Sequence, residues 1–187
     1  MCWQRPACVA LLAGIEVWLW LWGSAESAGP VHPALNTTLN GIRLALPGEI
    51  TWGDVLVHNT THQPIVLKGV RLGGGIHATN EALRVTRAEA VDPRRFRSGI
   101  GMTDGLGHDV IPAAQRSPLV GYIVKPGSEA EVLLTISVGK TGAWRYDHAD
   151  VTYEFGGREF TVRMRQAVGA CVAMGDACEV GYPPGLR

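Results

Sequence analysis

The chain has 187 residues, with 17 basic and 17 acidic side chains, 46% hydrophobic residues and 18% charged residues. This balance excludes a disordered acidic or basic tail. Since no net positive charge is present to attract phosphates, no nucleic-acid partner is expected. Glycine and proline contribute 24 and 11 residues without a repeat, which excludes collagen and favours a turn-rich β domain.

The chain opens on an apolar segment. Residues 6–22 are almost continuously hydrophobic and are followed by the small residues of 23–28. This pattern is typical of a secretory signal, and a cut after Ala25 or Ala28 would start the mature chain near Gly29. An uncleaved membrane anchor is the alternative, since the segment has the minimum length for a span and ends in spaced tryptophans. Both interpretations predict an extracytoplasmic protein, either secreted or anchored to the cytoplasmic membrane, with membrane contact only through this segment.

The cysteines favour the same compartment. Cys2 and Cys8 lie in the targeting segment, which leaves Cys171 and Cys178 as a pair in the exported part. In an oxidising compartment this pair is expected to form a disulfide that closes a short loop. Two free thiols in a reducing compartment are the alternative. One such pair supplies only half of the four ligands that a structural zinc site needs.

Short apolar runs separated by turn residues follow the targeting segment. In the first half, the predicted strands are 42–46, 50–58, 65–72 and 83–91. A further strand is predicted at 119–124, and apolar residues then alternate through 132–138, a period typical of a half-buried strand. Two more alternating runs flank Gly156-Gly157, which is a strong signal for a two-residue hairpin.

These elements predict an all-β fold, an antiparallel β-sandwich. We expect residues 1–28 to be the signal or anchor and 29–40 to be a linker. The sandwich would extend over 41–170, with a long loop at about 92–117 where no period is visible. A disulfide-stapled tail would occupy 171–187.

The turns carry a resemblance to a known kind of domain. His58-Asn59-Thr60 ends one predicted strand, residues 64–67 begin the next with Pro-Ile-Val-Leu, and Lys-Pro-Gly-Ser at 125–128 precedes a later one. This order resembles immunoglobulin-like β-sandwich domains of exported bacterial proteins of unknown function. The resemblance concerns architecture, and Thr61 stands where such domains have glycine. Arginine outnumbers lysine 14 to 3, which indicates a GC-rich, actinobacterial type of genome.

A basic cluster lies in the long loop and is the candidate binding surface. Arg94, Arg95 and Arg97 are its core, and binding residues concentrate on loops held by a rigid scaffold. Guanidinium groups could contact an envelope or extracellular protein, or an anionic surface. A solvated loop is the alternative. The sequence therefore predicts an exported, non-enzymatic binding or structural module of the cell envelope.

Metal binding is the alternative function. His58 and His62 are four residues apart, and His77 could supply a third ligand from another loop. On a helix, a spacing of four residues would place both imidazoles on the same face. His58 and His62 are separated by a turn, where this spacing does not ensure that the two side chains converge on one metal ion. The alternative is that these are ordinary surface histidines that bind no metal.

The sequence contains no motif that indicates a catalytic site. The chain contains no G-x-S-x-G, S-x-x-K or H-E-x-x-H pattern, so no nucleophile or metalloprotease site is predicted. The glutamates beside predicted strands are expected on solvated faces; they are Glu129, Glu131, Glu154 and Glu159. We therefore predict that the protein is not an enzyme and has no cofactor.

Overall fold

The computed structural model describes residues 29–33, 39–75, 82–95, 101–105, 107 and 111–173. Within these residues the strands are β1 (Leu39–Leu44), β2 (Gly48–His58), β3 (Ile65–Gly73), β4 (Leu83–Val91), β5 (Met102–Asp104), β6 (Ser117–Pro118), β7 (Ile123–Val124), β8 (Glu129–Val138), β9 (Gly142–Tyr146), β10 (His148–Phe155), β11 (Arg158–Met164) and β12 (Ala167–Val172). In this part of the chain no helix is long and apolar enough to cross a membrane. The apolar residues 6–22 lie outside the described residues.

The strands form three sheets. Their orders are β1-β12-β9, β11-β10-β3-β7 and β5-β2-β8-β4-β6. Neighbouring strands are antiparallel, with one exception: β1 and β12 run parallel, from Leu39 opposite Ala167 to Leu44 opposite Val172. The all-β, antiparallel prediction is confirmed, and this pair corrects it in one place. Strands from opposite ends of the chain are not joined by a tight turn, so nothing forces them to run antiparallel.

One hydrophobic core receives side chains from all three sheets. Its fully buried members include Trp52 of β2, Leu67 of β3, Leu134 of β8, Tyr153 of β10 and Val168 of β12. Buried residues alternate with more exposed ones in the C-terminal part of β2 and of β10 and at the N-terminal end of β3. Sheets that bury their inner faces against a common core form a layered β architecture, as the strand pattern predicted.

The strand β8 is buried on both faces, although its alternation predicted a half-buried strand. Leu134 and Ile136 point into the main core, whereas Leu133 packs with Val91 and Ile111 in a second cluster. Because β8 pairs with β2 and β4, both of its edges are satisfied within the sheet, and the main core covers one of its two faces. Chain from the expected long loop covers the other face through Ile111.

The stretch 92–117 therefore contains more structure than a loop. It includes β5, which pairs with β2, and the start of β6, which pairs with β4. It also contains two short 3-10 turns, Pro93–Arg95 before β5 and Ala113–Gln115 between β5 and β6. Strands of two or three residues are too short to show a period, which is why the sequence did not predict them.

A buried arginine holds this stretch against the sheet. The side chain of Arg116 is only 2% exposed. Its Nε donates to the carbonyl of Ile111 at 3.0 Å, and Nη2 donates to the carbonyl of Gly107 at 2.6 Å. Its Nη1 donates to a carboxylate oxygen of Glu89 on β4 at 3.3 Å. One guanidinium thus ties two loop carbonyls to a strand of the five-stranded sheet.

Of the four glutamates expected on solvated faces, Glu131 is fully buried, so that expectation was wrong for this residue. A bulge in β2 explains its position, because the pairing of β2 with β8 shifts between Trp52 and Val55. At the bulge Asp54 has a φ of 73°, and its backbone N–H donates to Oε1 of Glu131 at 3.1 Å. The Asp54 carboxylate in turn accepts a 2.6 Å hydrogen bond from Asn40 of β1.

The predicted hairpin at Gly156-Gly157 is present between β10 and β11. Its register places Phe155 opposite Arg158, so two residues form the connection. Both glycines have positive φ, 58° and 75°, as a type I′ turn requires at its two central positions. The sequence therefore predicted this turn for the correct physical reason.

The two ends of the described chain are held by the core. Val31 is 3% exposed and its N–H donates to the hydroxyl of Tyr153 at 3.1 Å. The strand β1 begins at Leu39, inside the segment 29–40 that was expected to be a linker. At the other end β12 includes Cys171, which is 2% exposed. Cys178 lies outside the described residues, so the disulfide stays a prediction.

Candidate functional site

The predicted basic cluster begins directly after β4. Arg94 lies in the 3-10 turn Pro93–Arg95 and its guanidinium donates to the carboxylate of Asp92 through Nε and Nη2, both at 3.0 Å. The backbone N–H of Arg94 also donates to Asp92, at 3.1 Å. The carboxylate thus fixes the turn and neutralises one arginine. Arg97 lies outside the described residues.

A cavity of about 300 Å³, which we call the β7 cavity, opens beside this turn. Its lining includes Asp92, Arg94, Arg95, Tyr122, Ile123 and Lys125. Four parts of the chain build it: the turn after β4, the residues Gln115 and Ser117 around the start of β6, the edge strand β7 and the turn that leads into β8. The four-stranded sheet ends at β7, so the cavity lies at an open sheet edge.

The cations of the β7 cavity differ in their partners. Arg94 is paired with Asp92, whereas neither Arg95 nor Lys125 has an ion pair within the described residues. The remaining acid of the lining, Glu129, faces His58 on β2, with Nδ1 and Oε1 3.6 Å apart. Arg95 and Lys125 are therefore the two cations of the lining without an ion pair in the described structure, and the carboxylates of Asp92 and Glu129 line the same cavity.

Two titratable groups of the β7 cavity have shifted pKa values. The hydrogen bond from Arg94 is the main reason why the pKa of Asp92 is lowered, and burial partly opposes it. Burial is the main cause that raises the pKa of Tyr122, and the charge of Asp92 adds to it. At neutral pH Asp92 is consequently ionised, and the Tyr122 hydroxyl keeps its proton and can donate a hydrogen bond.

An apolar rim adjoins these polar groups. Ile123 is 58% exposed and Val120 is 69% exposed, and Ile123 itself lines the cavity. The surface thus combines apolar contact with positive charge.

Asn59 positions the wall of the cavity that β7 forms. The side chain is fully buried, and its Nδ2 donates to the carbonyls of Val124 and Gln63, both at 2.8 Å. Its Oδ1 accepts from the N–H of Thr61 at 3.0 Å and from the hydroxyl of the same residue at 2.7 Å. The Asn59 amide therefore fastens the 59–64 turn to β7, with every hydrogen-bonding group of its side chain engaged.

The histidines of the metal hypothesis are placed as follows. His58 is at the end of β2, with its side chain 50% exposed beside Glu129. His62 is exposed in the turn after β2, and His77 lies outside the described residues. Within the described part of the chain, no group of three or more His, Cys, Asp or Glu side chains could hold a metal ion.

The sequence predicted Arg94 and Arg95 as binding residues but did not indicate Tyr122 and Lys125 as members of the same site. In the sequence, Lys125 is part of the Lys-Pro-Gly-Ser turn at 125–128. A lysine that directly follows an apolar run, next to a sheet edge, was the available signal, because edge strands carry such charges. Tyr122 had no signal, since its place depends on the pairing of β7 with β3.

Comparison with known proteins shows no family. No protein-family model and no curated protein matches the chain. Among solved structures, the VesB protease of Vibrio cholerae has a TM-score of 0.38 at 8% identity, covering 82% of this chain and 34% of its own. The PapD-like domain 7 of human CEP192 has a TM-score of 0.37 at 9% identity, covering 73% and 82%.

A family 123 glycoside hydrolase of Clostridium perfringens has a TM-score of 0.42 at 9% identity. The match covers 74% of this chain and 24% of the hydrolase. This chain therefore spans about a third of the protease and a quarter of the hydrolase. At these scores and identities the three likenesses carry no argument about what the chain does.

Proposed function

We propose that this protein is an exported, non-enzymatic, immunoglobulin-like binding module that recognises an acidic segment of an extracytoplasmic protein through the β7 cavity. One observation carries the proposal: Arg95 and Lys125 line the cavity without an ion pair in the described structure. They lie next to the exposed side chain of Ile123. A partner with carboxylates beside apolar residues complements this combination.

The chemistry of the lining supports a peptide ligand. The Arg95 guanidinium can take a carboxylate in bidentate geometry, and the Lys125 ammonium can attract a second one. The Tyr122 hydroxyl is available as a neutral donor, and Ile123 offers an apolar contact. An edge strand with such neighbours is suited to an extended segment, whose side chains alternate between polar and apolar contacts.

The export part of the proposal comes from the sequence. The apolar residues 6–22 and the small residues 23–28 have the order of a signal, and Cys171 and Cys178 remain as a pair beyond it. The intact mass of the protein recovered from cells tests both. A chain that starts near Gly29 and is two hydrogen masses short supports a cleaved signal and a disulfide, whereas a full-length reduced chain contradicts them.

Charge reversal tests the binding surface. The probe is a fluorescent glutamate- and leucine-rich peptide, titrated with the full chain in mild detergent while anisotropy is recorded. We expect the double variant Arg95→Glu with Lys125→Glu to weaken binding about tenfold, and added salt to weaken binding to the native chain. The double variant Arg84→Glu with Arg87→Glu makes the same change in net charge at exposed positions of β4 and should bind like the native chain.

Three outcomes would overturn the proposed surface. Equal binding by the double variant and the native chain places the contact elsewhere. Equal loss in the Arg84→Glu, Arg87→Glu control means that net charge alone, and not the β7 cavity, attracts the peptide. Binding to vesicles of anionic lipid without binding to the peptide identifies a membrane surface in place of a protein partner.

A further inference from the structure

The outer face of the four-stranded sheet, which points away from the core, carries a row of three charged side chains. Arg71 of β3, Asp150 of β10 and Arg163 of β11 lie directly opposite one another in the strand register. Residues paired in this way share a face of the sheet. The next residues along, Val151 and Val162, are buried in the core, so the charged row lies on the opposite face.

Asp150 is at the centre of this row. Its side chain is only 9% exposed, and it accepts hydrogen bonds from Nε of Arg163 at 2.8 Å and from Nη2 at 3.0 Å. The hydrogen bond from Arg163 is the main cause that lowers the pKa of Asp150, and the charge of Arg71 adds to it. The carboxylate is therefore ionised at neutral pH and holds Arg163 in a fixed geometry.

Two further arginines lack such a partner. Arg71 and Arg165 have no ion pair within the described residues. Both line a groove of about 890 Å³ together with Asp150 and Arg163. This end of the groove therefore holds three guanidinium groups and one carboxylate, which leaves two positive charges without compensation.

The other carboxylate of the groove, Glu159, is too far away to supply that compensation. It precedes Arg163 by four residues on β11, which is about 13 Å along an extended strand. Its neighbour across the sheet is a second acid, Glu154 of β10. The outer face is thus acidic at the end with Glu159 and cationic at the end with Asp150.

The pKa of His148 responds to the same excess of positive charge. Its Nε2 lies 3.6 Å from Oδ2 of Asp150. Burial is the main cause that lowers the pKa of His148. The charges of Arg163 and Arg71 lower it further, whereas those of Asp150 and Asp147 oppose them. Even beside a carboxylate the imidazole is therefore mainly neutral at pH 7, in surroundings that favour an added anion over an added proton.

We propose that this cationic end of the groove binds a dianionic phosphate group, such as that of a phosphomonoester. A phosphomonoester carries about −1.5 to −2 charges at pH 7 and three acceptor oxygens, which matches the two uncompensated positive charges. Guanidinium forks donate to phosphate oxygens in bidentate geometry. The groove is far larger than one phosphate group, so it has room for the rest of a phosphorylated molecule.

Titration with glycerol 3-phosphate tests the site. The full chain in nonionic detergent is studied by isothermal titration calorimetry at low ionic strength. We expect the double variant Arg71→Gln with Arg165→Gln to bind at least about tenfold more weakly than the native chain, because it removes both unpaired guanidinium groups and leaves the pair of Asp150 with Arg163 intact. Acetate, a monoanion with two oxygens, should bind the native chain at least about tenfold more weakly than glycerol 3-phosphate.

The matched control is the double variant Arg84→Gln with Arg87→Gln. It removes the same charge from exposed positions of β4, outside the lining of the groove, and should bind like the native chain. Urea unfolding of both double variants shows whether they are folded under the conditions of the titration.

A second experiment distinguishes two sources of the phosphate group. The native chain and the Arg71→Gln, Arg165→Gln variant are sedimented with vesicles of phosphatidylcholine with and without phosphatidic acid. Residues 6–22 are the same in both chains, so a loss confined to the variant and to phosphatidic acid identifies a lipid headgroup. Equal sedimentation, together with different affinities for glycerol 3-phosphate, identifies a soluble molecule. Both outcomes support a phosphate site.

Three results would refute this site. Absence of saturable binding up to about 10 mM glycerol 3-phosphate, or equal affinity for acetate, excludes a site for a phosphate dianion. Equal loss in the Arg84→Gln, Arg87→Gln control means that net charge alone attracts the anion. None of these results depends on the acidic peptide, because the β7 cavity lies at the opposite edge of the sheet and shares no lining residue with the groove.

Discussion

Replacing Asn59 by aspartate should destabilise the fold at neutral pH, although the side chain keeps its size. The amide donates two 2.8 Å hydrogen bonds, to the carbonyls of Val124 and Gln63. A carboxylate cannot donate and would direct negative charge at both carbonyls. The two lost hydrogen bonds cost about 1 kcal/mol each. Desolvation of an unpaired charge adds about 1–3 kcal/mol, so the free energy of unfolding should fall by about 3–5 kcal/mol.

Urea unfolding monitored by tryptophan fluorescence measures this loss, because Trp52 is fully buried in the core. The matched control is Gln63→Glu, the same amide-to-carboxylate change on an exposed side chain four residues away. We expect the control to differ from the native chain by less than about 0.5 kcal/mol. A loss below 1 kcal/mol in Asn59→Asp would refute the argument that this amide fastens the turn to β7.

The pH dependence of the stability loss provides a second test of the Asn59→Asp substitution. A buried carboxyl that faces carbonyl oxygens has a folded-state pKa above its unfolded value of about 3.9. The folded state then binds the proton more readily, so the penalty is largest at neutral pH and shrinks as pH falls toward about 4. A penalty that stays constant between pH 7 and pH 4 would contradict this electrostatic account.

Three further predictions concern other parts of the fold. Arg116→Met should lower the free energy of unfolding by about 3–5 kcal/mol in urea, because it leaves a partly buried glutamate and two carbonyls without their donor. Since burial lowers the pKa of His148 below 6.5, native stability should decrease as pH falls below 6.5, and His148→Gln should flatten this dependence. Gly107→Ala should be destabilising in thermal melts, because the residue has a φ of 61° and a Cβ there would contact Thr103 and Thr51 at 2.9 and 3.1 Å.

Each of these three predictions has a control variant or a result that would contradict it. Arg95→Met removes an exposed arginine that has no ion pair within the described residues and should change the free energy of unfolding by less than about 0.5 kcal/mol. An equal loss would mean that the burial of Arg116 is irrelevant. A native chain whose stability rises as pH falls below 6.5 would contradict the sign argued for His148. Gly105→Ala has the same positive φ without a close contact, so it should be milder than Gly107→Ala.

The candidate site was predicted in part. Arg94 and Arg95 were identified because they are a run of cations in a segment without a period. Their neighbours in the β7 cavity, Tyr122 and Lys125, are about thirty residues away in sequence and reach the site only through the pairing of β7 with β3. Local patterns indicate composition, whereas a site is assembled by contacts between distant segments.

Most of the strand positions were determined by the sequence alone. The predicted strand 83–91 coincides with β4, and the Gly156-Gly157 hairpin forms as expected. Both signals are local: side chains alternate because successive residues of a strand point to opposite faces, and glycine accepts the positive φ of a tight hairpin turn. No distant contact is needed to produce either.

The tertiary structure decided what covers each face and which strands pair. β12 has all six residues buried and no alternation, because both of its faces are covered: Val168, Ala170 and Val172 belong to the main core, and Cys171 of the other face is also buried. Glu131 is inside because a bulge in the neighbouring strand directs the N–H of Asp54 to it. These outcomes depend on residues far apart in the chain, since burial is a property of the assembled layers and not of a strand by itself.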